Sequence, residues 1–127
     1  MDIAIETLCT MFVDQAGVGM GWADIEAKVR YMNPALTSML GLNRPEEKYG
    51  QSVLQFYDSE TIAALENVIL AAVMDNGFWI GELPLQSANG EQTATINYLF
   101  ALKDDTGKPF SFGNIVIPKK QYDNASR

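Results

Sequence analysis

The run Val29-Arg30-Tyr31-Met32-Asn33-Pro34-Ala35-Leu36, followed by Gly41-Leu42, constrains this chain more than any other segment. It reads as a strand that stops at Asn33 and hands over directly to a short helix. Proline presets φ at the first helical position, and asparagine can accept from the free N–H groups of the first turn. Leu36, Met39 and Leu40 then share a face, and Gly41 suits the left-handed position that closes a helix. A strand that runs straight into a capped helix requires a mixed fold in which helices pack on a sheet.

The rest of the chain extends that pattern. Ile5, Leu8, Met11 and Phe12 recur at helical spacing between residues 3 and 15, which predicts an amphipathic helix ended by Ala16-Gly17. Residues 18–24 and 28–33 read as strands joined by the turn Ile25-Glu26-Ala27. A second helical piece is expected at Pro45-Glu46-Glu47 with Asn43 as its cap, and a third around residues 52–57. The longest helix follows from a cap at Asp58 or Ser59, with Ile62, Leu65, Ile69 and Val73 along one face and Asn76-Gly77 at its end. After Gly77 the period becomes strand-like: residues 78–85, the turn Ala88-Asn89-Gly90, residues 91–102, the turn Asp104-Asp105-Thr106-Gly107, and residues 110–117. Asn-Gly between two such runs predicts a two-residue hairpin turn with positive φ at both central positions. Two strands, several helices and three strands define an α+β layer architecture with a five-stranded antiparallel sheet, helices over one face and an N-terminal amphipathic helix.

Composition narrows the chemistry. At 127 residues the chain is one domain by length, with ordinary hydrophobic (47%) and charged (20%) fractions that argue against disorder. A net charge of −7 disfavours nucleic acid and anionic membranes, which need a concentrated basic face. Cys9 stands alone, so an internal disulfide and a cysteine-rich metal site are both excluded, and a reducing cytoplasm fits best. Its neighbours include no lysine, arginine or histidine to activate it, so it reads as a small apolar filler. No apolar run approaches the roughly 18 residues needed to span a bilayer, and the first residues lack the basic start of a secretory leader. The chain has no histidine, which removes the commonest general base, the commonest metal ligand and a phosphoaccepting side chain.

Residues 17–119 resemble a PAS domain. The resemblance is carried by Asn33-Pro34-Ala35 leading to Leu40-Gly41, the Tyr49-Gly50 step, Phe78-Trp79-Ile80-Gly81-Glu82 after Gly77, and the Asp105-Thr106-Gly107 turn. It implies residues 1–16 as a flanking amphipathic helix, 17–119 as the domain and 120–127 as a polar tail or linker. It also implies a sensory or regulatory module of a bacterial-type signalling protein that dimerises and holds a small ligand between sheet and helices. The open alternatives are a ligand-free interaction scaffold, a flavin-binding redox sensor and, of a different class, a small α+β enzyme. Enzyme activity is not expected: Glu26, Glu46, Glu47, Asp104 and Asp105 fall in turns as solvated charges, which leaves Glu82 as the one carboxylate of interest.

The resemblance also bounds the cofactor. The light-sensing flavin branch of the family carries a reactive cysteine where this chain has Val53, in Gly50-Gln51-Ser52-Val53, so photoadduct chemistry is excluded. That branch also carries a flavin-contacting glutamine two residues after a glycine on the last strand, where this chain has Ile115 after Gly113. Flavin held without photochemistry, by stacking on Trp22 or Trp79, stays open. Haem with a histidine ligand is excluded, and ligation by methionine or Cys9 is formally open.

The expected pocket residues are Tyr31, Met39, Leu54, Phe56, Ile69, Trp79, Thr95, Asn97 and Ile115, with Thr95 and Asn97 as the polar contacts if they face inward. Tyr31, Met39, Leu54, Phe56 and Ile69 read more readily as core than as ligand contacts, because a domain of this size needs about that many large core residues. On the last strand, Gly113, Ile115 and Ile117 share one face and Phe110, Phe112, Asn114 and Val116 the other. The resemblance puts the helices on the first face. That leaves Phe112 and Val116, with Leu8 and Phe12 of the leading helix, as the expected homodimer interface. The partners so admitted are a second copy, a small-molecule ligand and a downstream signalling domain. Signalling PAS domains often leave the last strand through a helical linker; here Pro118 is expected to break that exit.

Overall fold

The computed structural model describes residues 3–125; the outermost residues of the expected leading helix and tail lie outside them. Helix α1 (Ile5–Asp14) precedes strands β1 (Gly19–Asp24) and β2 (Val29–Met32), then helix α2 (Pro34–Met39). Two 3₁₀ turns, Pro45–Glu47 and Val53–Phe56, lead to α3 (Ser59–Ala64), a π-helical segment (Leu65–Ile69) and α4 (Leu70–Asn76), which run on without a break. Strands β3 (Phe78–Gln86), β4 (Gln92–Lys103) and β5 (Pro109–Pro118) follow, and α5 (Lys119–Ala125) closes the chain. The sheet has the order β2-β1-β5-β4-β3 and every neighbour is antiparallel, as the α+β reading requires.

The handover at Asn33 is tighter than a helix cap. Its Oδ1 accepts from Leu36 N at 3.0 Å, capping α2, and also from Met20 N at 2.9 Å on β1. Its Nδ2 donates to Val13 O at 2.9 Å and Val18 O at 3.0 Å. One fully buried side chain thus joins the end of α1, the entry to β1 and the start of α2. Asp58 caps α3 by accepting from Thr61 N at 2.8 Å, and Gly77 ends α4 with a φ of 90°. The cap expected at Asn43 falls instead at Arg44, whose side chain makes no capping bond.

The hairpin turns follow one plan, and it is not the two-residue turn expected at Asn89-Gly90. In each, the first residue's N–H donates to the fifth residue's carbonyl and the fourth residue's N–H donates back to the first: Asp24–Lys28, Ser87–Glu91 and Asp104–Lys108. This three-residue loop needs a left-handed residue only at its fourth position, filled by Gly90, Gly107 and Ala27. Ala27, with a φ of 64°, is the one residue besides glycine with positive φ among the described residues. An L-residue held there costs roughly 1–2 kcal/mol relative to glycine, part of it offset by the freer unfolded chain. Ala27→Gly is therefore expected to stabilise the protein by roughly 0.5–1 kcal/mol, read as a higher urea midpoint; an unchanged or lower midpoint would mean that the methyl's packing outweighs the strain.

The sheet presents the opposite face to the helices from the one expected. Val116 is 0% exposed and packs with Val29, Met32, Leu36, Leu40, Phe56 and Leu85, while Phe112 packs against Ile69, Val73 and Leu83. Ile115 lies on the outer face with its neighbour Tyr98. Both alternating sets of β5 are apolar, so alternation cannot choose between them; the neighbouring strand does. Gly19 and Gly21 of β1 pair with Val116 and Asn114, and a Cβ on Gly21 would stand 2.7 Å from Tyr31 O and 3.0 Å from the Leu36 side chain. The missing side chains make the recess into which α2 settles. Phe112 and Val116 therefore belong to the core and not to a dimer interface.

Pro118 does not break the exit. It stands opposite Thr95 as the last residue of β5, and α5 begins at the next residue, with Lys119 and Asp123 paired at 2.8 Å. The segment expected as a polar tail or linker, 120–127, is helical as far as it is described, because proline at the junction gives up an N–H that neither element requires there.

Candidate functional site

Between the inner sheet face and the helical layer lies a cavity of ≈ 450 Å³. Its floor is Gly21 and Ala23 of β1, Leu85 of β3, Leu99 of β4 and Phe112 and Asn114 of β5; its roof is Leu65, Ile69 and Val73, with Val53, Leu54 and Phe56 closing one end. The π-helical segment supplies Leu65, Glu66 and Ile69, so the extra residue in that turn falls on the wall. Ile25, Leu70 and Met74 also line it and are exposed, which forms an apolar mouth.

Of the expected pocket residues, Tyr31, Leu54, Phe56 and Ile69 line this cavity, although the Tyr31 ring also stacks on Trp22 with centroids 4.6 Å apart. Met39 packs beside the core under Gly19, outside the lining. Trp79 folds its ring over Gly81 and packs with Ile69, Val73 and Leu83, again outside the lining. Ile115 lies on the outer face, one residue away from the carboxamide of Asn114, which lines the cavity. The last strand thus does bring an amide to the cavity wall, one residue before Ile115.

Thr95 and Asn97 do face inward and are fully buried, but they stand behind the wall. Thr95 Oγ1 donates to Leu83 O at 2.7 Å; Asn97 Nδ2 donates to Thr95 Oγ1 at 2.8 Å; Asn114 Nδ2 donates to Asn97 Oδ1 at 3.4 Å. The direction of this chain is fixed at its root, since a backbone carbonyl can only accept. At its far end Asn114 Oδ1 is buried, and the Asn114 amide meets the phenol of Tyr57. Tyr57, beside it on the wall, has its phenol pushed up to about 12 by burial, with the Asn114 amide acting weakly the other way, so it stays neutral at physiological pH. Thr95→Val, which removes the root of the chain, is expected to cost about 1–3 kcal/mol in urea unfolding; a cost below about 0.5 kcal/mol would show that the chain carries no stability.

The outer face is unusually bare. Trp22, Phe78, Ile80 and Tyr98 are exposed there, Phe78 stacks on Tyr98 at 5.6 Å, and Phe100 covers Gly113. Helix α1 has no buried residue, and Ile5 (71% exposed) and Phe12 (78% exposed) stand in solvent. No described helix is long and apolar enough to cross a membrane.

These features define an α+β domain with an apolar chamber between sheet and helices. Its fold is that of PAS domains. The chain superposes on a PAS domain from Colwellia psychrerythraea with a TM-score of 0.84 at 15% identity, covering 91% of this chain and 97% of that one. A Rhodobacter sphaeroides LOV protein matches with a TM-score of 0.76 at 16% identity, over 97% of this chain and 72% of that one. The PAS domain, in complex with ethanol, of a LuxR-family transcriptional regulator from Burkholderia thailandensis gives 0.70 at 16% identity, over 89% and 96%. No protein-family model and no curated protein matches the sequence.

Proposed function

We propose that this chain is a sensory or regulatory PAS module that binds a small molecule in the chamber and acts as a homodimer. The observation that carries the reading is the chamber itself. An apolar cavity of ≈ 450 Å³ is within the range of ligand sites, and its mouth of exposed Ile25, Leu70 and Met74 gives a ligand a way in. PAS domains of similar fold come from a LuxR-family transcriptional regulator and a two-component sensor histidine kinase, and the former holds ethanol. The chamber favours binding over catalysis, because the polar groups deep in it are a carboxamide and a neutral phenol, neither of them a general base near pH 7.

Dimerisation is supported by two apolar surfaces that lack a cover. One is the α1 stripe of Ile5, Leu8, Met11 and Phe12, and the other is the outer sheet face with Trp22, Ile80 and Tyr98. A second copy offers each surface its complement. Helix α5 leaves β5 directly, so a downstream domain could be coupled through a helix. The lone Cys9 suits a reducing cytoplasm.

Native mass spectrometry with an absorption spectrum, on protein isolated from its own host, tests this reading. The expected result is a dimer carrying added mass from a small organic molecule. Flavin bands would assign the alternative redox sensor, and a bare apo mass that no small molecule shifts would favour the ligand-free scaffold.

A further inference from the structure

We infer that the chamber takes a hydrocarbon skeleton of about two rings that carries no hydrogen-bonding group except one held in the mouth. This rests on the reading of the chamber as a ligand site. The selection follows from how the wall disposes of its own polar groups. At depth these are the Tyr57 phenol and the Asn114 carboxamide, and each is the other's partner. Asn114 Nδ2 also donates to Asn97 Oδ1 at 3.4 Å, and Asn114 Oδ1 is buried out of a ligand's reach. Thr95 and Asn97 complete the same chain behind the wall. The floor strands β1, β5 and β4 each have a neighbour on both edges, which spends their backbone groups within the sheet.

What is left to meet a ligand is aliphatic and aromatic: Leu65, Ile69, Val73, Leu85, Leu99 and Phe112. Among the described residues lining the chamber there is no lysine or arginine. A hydroxyl, carboxylate or phosphate taken to depth would lose its water with nothing to replace it, as in transfer from water to an alkane. The mouth differs, because Ile25, Leu70, Met74 and Glu66 are exposed there and water reaches the end of a ligand. A volume of ≈ 450 Å³ has room for two linked rings.

The test is a titration of the full chain with biphenyl, its para-hydroxy derivative and the derivative hydroxylated at both para ends, followed by methyl NMR shifts. The single hydroxyl can turn to the mouth, so biphenyl and the monophenol are expected to bind within about tenfold of each other. The diphenol must bury one end and is expected to bind at least about 30-fold more weakly than the monophenol. Tyr57→Phe leaves the Asn114 amide without its phenol, and a ligand hydroxyl can take that place. In this variant the diphenol is expected to recover roughly three- to tenfold relative to biphenyl. A diphenol that binds the unaltered protein as tightly as the monophenol, a monophenol more than about tenfold weaker than biphenyl, or no recovery in the variant would overturn the inference while leaving the chamber a ligand site. Absence of binding by all three would overturn the ligand-site reading itself.

Discussion

Asn33→Ala is expected to lower the unfolding free energy by roughly 3–5 kcal/mol, a large part of the 5–15 kcal/mol typical of a domain. The side chain has two acceptor and two donor bonds, all made, and it is 0% exposed, so no water takes its place. Removing it leaves Met20 N–H, Leu36 N–H and the carbonyls of Val13 and Val18 to find other partners, each at a cost of about 1–3 kcal/mol if left buried. Asn33→Asp separates the two halves of the role. It keeps an acceptor for Met20 and Leu36 but sets a carboxylate against the two carbonyls, so a cap alone would be rescued and this junction would not. Urea unfolding of the three proteins checks it: Asp close to Asn would reduce Asn33 to a helix cap.

Phe12→Glu is expected to weaken self-association by at least about 30-fold while leaving the unfolding free energy of the monomer unchanged. Burying a large apolar side chain is worth roughly 1.5–3 kcal/mol, and an inserted carboxylate adds its own desolvation cost. The two readouts separate because Phe12 is 78% exposed and supports no contact within the domain that folding would miss. Sedimentation equilibrium should give a dimer for the unaltered chain and a predominantly monomeric variant at the same concentration. Tyr98→Glu on the outer sheet face should act in the same way, since it stands on the surface that the partner helix would cover. A monomeric unaltered chain, or a Phe12→Glu dimer of equal strength, would remove the dimer from the account.

What could be read from the residues alone was punctuation. Asn33-Pro34, Asp58, Gly77 and the turn residues act locally, through φ and short-range hydrogen bonds, and they placed the elements close to where they fold. What could not be read was any choice made between distant segments. Both faces of β5 are apolar, and the glycines that decide between them, Gly19 and Gly21, lie on a strand almost a hundred residues away. That single ambiguity moved Val116 and Phe112 from core to interface and Ile115 from surface to pocket. Ala27 hid its left-handed turn because alanine gives no sign of it. Asn114 escaped notice for a similar reason: its role depends on a hydrogen-bond chain through Asn97 and Thr95 that begins at a backbone carbonyl of β3. The signal that was present, three polar residues in otherwise apolar strands, pointed to the right strands without saying which of the three reaches the cavity.

Ligand binding as proposed requires the chamber to lie between the helices and the Phe112–Asn114–Val116 face. Methyl NMR of the chain under xenon pressure tests this most directly, because xenon enters dry apolar cavities and needs no knowledge of the natural ligand. Shifts are expected to centre on Ile69, Val73, Leu85 and Leu99, which line the cavity. Shifts confined to Ile80, Ile115 and Ile117, or none at any methyl, would contradict it.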